Sequence, residues 1–349
     1  MRLWKSVCSV GAAVLLSTGC ATTSSGVASQ TPQRPKTEAF SGYAEWREGP
    51  ALIVDGQRVV MGEKAKLKGK VSGFAGIPLG YEIGGKGVRL PDGTIEASEL
   101  EASANGQGLF ESDVRSATDE MEAKWLRKGS VYQTTAEGKE TVIGDLVSRG
   151  AALDRVQRIV RRVTPPYIGT SALRVHVVQT TTWNAMAMGN GAIWVFTGLL
   201  NDMDDDEVAI VIGHELAHYT HEHSRRELKR GMWVGLISLG AIGVAELASD
   251  NKSTKTTVAT VALAAALTLG NKYSRTLEDQ ADRVGLRYAY EGGYDAGKGP
   301  ALWRRFQSKY GEQNGLMNFF LGEHSTASAR IKNLEREIAN NYRGSVPRR

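Results

Sequence analysis

Residues 204–220 read DDDEVAIVIGHELAHYT, and the rest of the chain is best read outward from them. Asp204 and Glu207 stand three apart at the head of an apolar run, the spacing of a capping box. Val208, Val211, Ile212 and Leu216 follow at helical intervals, which predicts a helix over 204–228. Residues four apart project from one helix face, so His214 and His218 can hold one Zn²⁺ between their imidazoles. Glu215, beside the first histidine, faces the open side of such an ion, where a carboxylate can take a proton from an attacking water. A chance HExxH on a solvated face fits poorly with Ala209, Ile210, Val211, Ile212, Leu216 and Ala217 around it. Ionisable groups on so apolar a helix are costly to bury unless they are paired or bound to a metal.

Two histidines leave a catalytic zinc one protein ligand short. His221 shares their face, but one straight helix cannot wrap three residues around a tetrahedral ion, so it reads as a neighbouring or surface histidine. His223 points away from that face and reads the same way. Residues 274–282, SRTLEDQAD, offer a better complement. Glu278 and Asp282 share a helical face there. Glu278 can supply the third ligand, and Asp282 can hydrogen-bond a ligand histidine and fix its tautomer.

The N-terminus reads as an export signal. Arg2 and Lys5 precede an apolar core at 10–16 and then Ser17-Thr18-Gly19-Cys20, too short a stretch to span a bilayer. The small residues running into Cys20 resemble a bacterial lipoprotein cleavage site, with Cys20 as the lipidated first residue and Ser17 where that site usually has an aliphatic residue. The alternative is an ordinary cleaved signal with a spare cysteine. The two cysteines are Cys8 and Cys20, so the mature chain would hold no disulfide. With Cys20 lipidated, Ala21 is not the Asp that retains such lipoproteins at the inner membrane, and the expected location is the periplasmic face of the outer membrane. Residues 20–40 then form a lipid anchor and a flexible Ser/Thr/Pro-rich tether. The net charge of +5 is spread along the chain, so nucleic acid is not an expected partner.

From 41 to 148 a small β-rich module of unassigned role is expected. Short runs at 51–54, 58–61, 66–71, 87–90 and 94–97 are separated by turn signals, Pro91-Asp92-Gly93 being the clearest. Residues 99–127 have helix-forming composition, and 143–162 contain a helix leading into the catalytic region. Strands are predicted at 173–178 and 193–196, either side of the turn Gly189-Asn190-Gly191. An edge strand beside the zinc helix would let an extended peptide add its backbone to the sheet. Two uncharged runs, 231–245 and 256–270, are each shorter than the roughly twenty residues of a spanning helix and fit a hairpin buried in the core or dipping into a membrane.

The HELAH helix, the S-R-x-x-E-x-x-A-D segment and His324, followed six residues later by Arg330, resemble the gluzincin metallopeptidases of the HtpX and CAAX-prenyl-endopeptidase type. In layout they are closest to the soluble periplasmic, BepA- and LoiP-like lipoprotein members. The likeness covers roughly 150–340, and this chain has Ser325 where the family commonly has proline. It implies one zinc per chain held by His214, His218 and Glu278, with Glu215 as catalytic base. The expected fold is α+β, with a mostly helical zincin-type peptidase domain and a small edge sheet over 149–342, and a flexible tail at 343–349. The expected function is that of an envelope endopeptidase acting on unfolded or misassembled envelope proteins. The rival readings are a periplasmic chaperone or assembly factor on the same fold and a zinc-dependent cell-wall hydrolase. His324 and Arg330 can stabilise a developing oxyanion. Alternatively, neutral His324 can plug the open coordination place.

Overall fold

The structure, a computed structural model, describes residues 36–104, 111–134, 139–227, 274–311 and 327–342. The expected signal peptide with Cys20, most of the expected tether, the two uncharged runs, His324 and the expected tail lie outside the described residues. Among those described, no helix is long and apolar enough to cross a membrane.

Five strands close a barrel in the order β1-β2-β3-β5-β4: β1 (Thr37–Glu48), β2 (Ala51–Val54), β3 (Gln57–Lys68), β4 (Glu82–Arg89) and β5 (Ile95–Ser103). β3 and β5 pair in parallel and the other neighbours pair antiparallel. Leu52, Val54, Val59, Ile83, Ile95 and Leu100 fill its interior. The 91–93 turn joins β4 to β5, with Gly93 at φ 86° and the Asp92 carboxylate accepting from the Thr94 amide at 2.9 Å. Two expectations are corrected here. The tether ends before Thr37, because Phe40 is already buried in the barrel. Residues 99–103 are strand, and the helix α1 spans Glu111–Lys128. Alternation decides this: Leu100 and Ala102 face the barrel core while Glu99 and Glu101 do not, a period of two that overrides helix-forming composition.

A second sheet runs β6-β7-β8-β10-β9: β6 (Ser130–Thr134), β7 (Glu140–Val147), β8 (Arg174–Gln179), β9 (Ala185–Ala187) and β10 (Ala192–Phe196). β8 and β10 are parallel, and β9 is an antiparallel edge strand. The sheet is larger than the small edge sheet expected, because β6 and β7 join it from before residue 148, and β7 pairs with β8 across that point. Every β10 residue is buried, since both faces are covered. Trp194 and Phe196 pack with Trp125 of α1, whereas Ile193 and Val195 face the main core.

That core gathers α2 (Ala151–Val163), α3 (Thr197–Asp202), α4 (Asp205–Thr220), α5 (Arg275–Glu291), α6 (Gly299–Tyr310) and α7 (Ala327–Asn341). Trp46 and Ile53 of the barrel belong to it as well, so the barrel shares a hydrophobic core with the helices it precedes. α4 is buried on nearly all sides from Glu207 to His218, its histidines and glutamates included, so it is packed all round. α4 and α5 touch backbone to backbone at two glycines. A Cβ on Gly213 would sit 2.4 Å from the Gly285 carbonyl oxygen, and one on Gly285 would sit 2.4 Å from the His214 nitrogen.

Candidate metal centre

The site is built on this glycine crossing. Asp204 caps α4: its side chain accepts from the Glu207 amide at 3.0 Å, and the Glu207 carboxylate accepts from the Asp204 amide at 3.2 Å. His214, directly after Gly213 on α4, and His218, one turn further on, turn their Nε2 atoms toward each other, 3.0 Å apart. α5 passes close enough to bring the Glu278 carboxylate within 3.4 Å of the His218 Nε2 and 3.6 Å of the His214 Nε2. His214, His218 and Glu278 form the one metal-compatible cluster among the described residues, and all three are buried.

The donor set tests the metal reading directly. Zinc bonds of about 2.1 Å at tetrahedral angles space ligand atoms about 3.4 Å apart, and the observed separations of 3.0–3.6 Å bracket that value. The residues fit the ion. Glu215 follows His214 on α4 and is also buried.

Asp282, one turn after Glu278 on α5, places Oδ1 3.0 Å from the His214 Nδ1. With Nε2 turned to the metal, Nδ1 carries the ring proton and donates it to Asp282. The Arg330 guanidinium of α7 donates from Nε to both oxygens of Asp282 at 3.1 Å. Arg330 is fully buried and its Cζ lies 3.4 Å above the Trp303 ring. Burial alone would raise the Asp282 carboxyl, but the Arg330 charge and the hydrogen bond from His214 bring it down to about 2. Arg330 is thus a buried partner of Asp282 rather than of a surface carboxylate, with Nη1 3.9 Å from Glu278.

Two histidines differ from their sequence reading. The predicted single helix over 204–228 ends at Thr220. His221 and Glu222 form a turn, Glu222 has φ 51°, and helix resumes at 223–227. His221 is fully buried rather than a surface residue, and its Nδ1 lies 2.9 Å from the Thr220 hydroxyl. Burial pushes its imidazolium pKa down to about 3. His223 is also fully buried. The turn swings its Nδ1 to 2.8 Å from the His218 Nδ1, and its Nε2 lies 3.1 Å from the Gln280 Oε1. Burial holds its pKa well below the ordinary value, so the ring is neutral. The sequence reading turns His223 away from the ligand face because the positive φ at Glu222 is anticipated by no spacing rule, and it gives Gln280 no role.

A cleft beside His218 is bounded by Ala187 and Gly189 at the end of β9 and by Tyr219, Glu222 and Arg225. The edge strand and the candidate ligand His218 therefore border the same opening.

Two imidazoles and a buried carboxylate at this spacing, with a glutamate next to the first histidine, define an HExxH metallopeptidase centre. The chain belongs to Peptidase family M48, whose sequence profile matches residues 152–338, more than half of its length. Zinc is the metal of that family. The chain is similar to the mitochondrial metalloendopeptidase OMA1 of Danio rerio, 28% identical over 208 residues that cover 58% of this chain and 43% of that protein. It is also similar to two proteins of Escherichia coli K12. The metalloprotease LoiP is 28% identical over 43% of this chain and 57% of its own length. The metalloprotease YcaL is 33% identical over 33% of this chain and 43% of its own. The chain thus spans about half the length of these relatives.

Proposed function

We propose that this protein is a zinc-dependent endopeptidase of the bacterial cell envelope, anchored by lipid at Cys20 to the periplasmic face of the outer membrane and cleaving unfolded or misassembled envelope proteins. The observation that carries the catalytic part is the convergence of His214, His218 and Glu278 in a chain of Peptidase family M48. The envelope part is supported by the signal-like N-terminus ending in Cys20. When bound, zinc supplies Lewis acidity toward a water and a substrate carbonyl.

The chain's own residues do the rest. Glu215 takes the proton of the attacking water and passes it to the leaving amine. Asp282 holds the His214 ring with its Nδ1 proton outward from the metal, and Arg330 keeps Asp282 ionised. An extended substrate pairs with β9, the terminal strand of its sheet among the described residues, and lays its scissile bond across the opening beside His218. Unfolded chains suit such a site because recognition by backbone hydrogen bonds is tolerant of sequence.

Incubation of the purified protein with unfolded casein, with and without a chelator, tests the reading. Chelator-sensitive cleavage that disappears in Glu215→Gln is the expected result. Intact casein with zinc-loaded wild type would leave a folding or assembly role in its place. Retention of Cys20→Ser in the membrane fraction would overturn the lipid anchor.

A further inference from the structure

The second ligand histidine is supported from an unexpected direction. Its Nε2 faces the cluster, so its Nδ1 faces away, toward the His223 Nδ1 at 2.8 Å. From there a chain of contacts runs out of the peptidase helices into the barrel. The His223 Nε2 meets the Gln280 Oε1 at 3.1 Å, and the Gln280 amide Nε2 donates to Glu45 Oε1 and Asp55 Oδ1, each at 2.6 Å. Glu45 lies on β1 and Asp55 in the turn between β2 and β3.

Each link in this chain has a direction, and the direction is set at the barrel end. Two carboxylates accept hydrogen bonds only, so the Gln280 NH₂ must face them. Its oxygen then faces inward, where Arg226 Nη1 also donates to it at 2.6 Å. A flipped amide would set oxygen against two carboxylates and NH₂ against a guanidinium. Because the Gln280 oxygen faces His223, the proton of that ring sits on Nε2 and its Nδ1 is an acceptor. Because that Nδ1 is an acceptor, the His218 proton sits on Nδ1, which leaves the Nε2 lone pair for a metal.

The barrel backbone is shaped to present these acids. Asp55 adopts φ 44°, a left-handed conformation uncommon outside glycine. A Cβ on Gly42 would sit 2.5 Å from the Asp55 Cγ, so only glycine leaves room for that carboxylate. Arg283 Nη2 donates to Glu45 at 2.7 Å and Arg226 Nη2 donates to Asp55 at 2.8 Å, balancing the charge of both acids.

We propose that Glu45 and Asp55 are positioning residues of the metal centre, fixing the tautomer of His218 through Gln280 and His223, so that the barrel is a working part of the metallopeptidase. This rests on the proposed zinc site, and the test separates the two. Full-length wild type, the double variant Glu45→Gln/Asp55→Asn and Gln280→Met are compared for zinc affinity against a chromophoric chelator, for the visible spectrum of the Co²⁺-substituted protein, and for unfolding of the metal-free form. Glu48→Gln serves as control, since Glu48 pairs with the exposed Arg58 at the barrel surface.

The expected result is a zinc affinity lowered about tenfold in both relay variants, with an altered Co²⁺ spectrum and kcat falling more than KM rises, while Glu48→Gln behaves as wild type. Conservation of the Co²⁺ spectrum and of zinc affinity in the double variant overturns the proposal, whether or not the metal-free form is destabilised. Weakened binding in Gln280→Met alone also overturns it, because the barrel carboxylates would then set nothing. Failure of wild type to bind stoichiometric zinc would sink the metal reading itself, an outcome distinct from these.

Discussion

The two candidate histidine ligands, one helical turn apart, are supported in opposite ways. Behind His214 stands an ionised carboxylate, one hydrogen bond away, itself clamped by a buried guanidinium. Behind His218 stands a neutral imidazole, then a neutral amide, and only then two carboxylates on another part of the fold. The first support is short and charge-assisted, and such hydrogen bonds are roughly twice as strong as neutral ones. The second is long, neutral and directional, and it depends on two elements packing correctly against α5. The two histidines of an HExxH helix are alike in sequence but not in their surroundings. One histidine is held by its own domain core and the other by the barrel that precedes it.

The comparison breaks most completely when the common centre is removed. Glu278→Ala should abolish stoichiometric zinc and with it peptidase activity, since Glu278 contacts both imidazoles. Glu215→Gln should keep zinc, measured by metal analysis, and lose about 10²–10⁴-fold in turnover. The next largest effect is on the His214 side. Asp282→Asn should weaken zinc binding about 10–100-fold. It should also destabilise the metal-free protein by about 3–5 kcal/mol in denaturant unfolding, because a fully buried Arg330 loses its counter-charge. The relay variants on the His218 side remove less. A double variant with Asp282→Asn and Gln280→Met whose losses add would show the two supports to be independent.

Gly285→Ala acts on both supports at once. Its Cβ would meet the His214 nitrogen at 2.4 Å, so α4 and α5 must separate. A cost of about 1–3 kcal/mol is expected from overpacking, read as a lowered unfolding midpoint. Zinc affinity should fall with it, because Glu278 and Asp282 both ride on α5.

The same asymmetry explains how much was legible beforehand. The His214–His218 and Glu278–Asp282 pairs are legible because each pair is four apart on a helix, with Glu215 beside the first histidine, and helical spacing survives into the fold. His223 was not, because a straight continuation of α4 would carry it away from His218, and the Glu222 turn at φ 51° reverses that. Gln280 sits between the two visible acids of α5, with nothing in its type to mark it. Glu45 and Asp55 look like ordinary strand and turn acids, and their role exists only once the barrel has docked. Trp46 and Ile53 show why it docks, since both leave the barrel's own interior to join the main core. The strand at 99–103 was hidden by a composition rich in Glu and Ala, and the alternation of Leu100 and Ala102 was too short to outweigh it.

The smallest effect is expected at the far end of α4, where neither support reaches. Asp204→Ala removes the capping-box acceptor for the Glu207 amide and should cost about 1 kcal/mol, a midpoint shift of about 2 °C or less for a chain of this size. Zinc affinity should be unchanged, because the cap lies nearly three helical turns from His214. The pH dependence has a definite sign. Partial burial alone would raise the Asp204 carboxyl, but the Lys298 ammonium and the Glu207 amide hold it below the usual range. A carboxyl depressed in the folded state adds stability above its unfolded pKa of about 4, and that contribution drains away as pH falls through the lower, folded value. The gap between wild type and Asp204→Ala should therefore be full at pH 7 and narrow steadily below about pH 4. A gap that stayed constant into acid would mean that the cap works through shape rather than through the charge on Asp204.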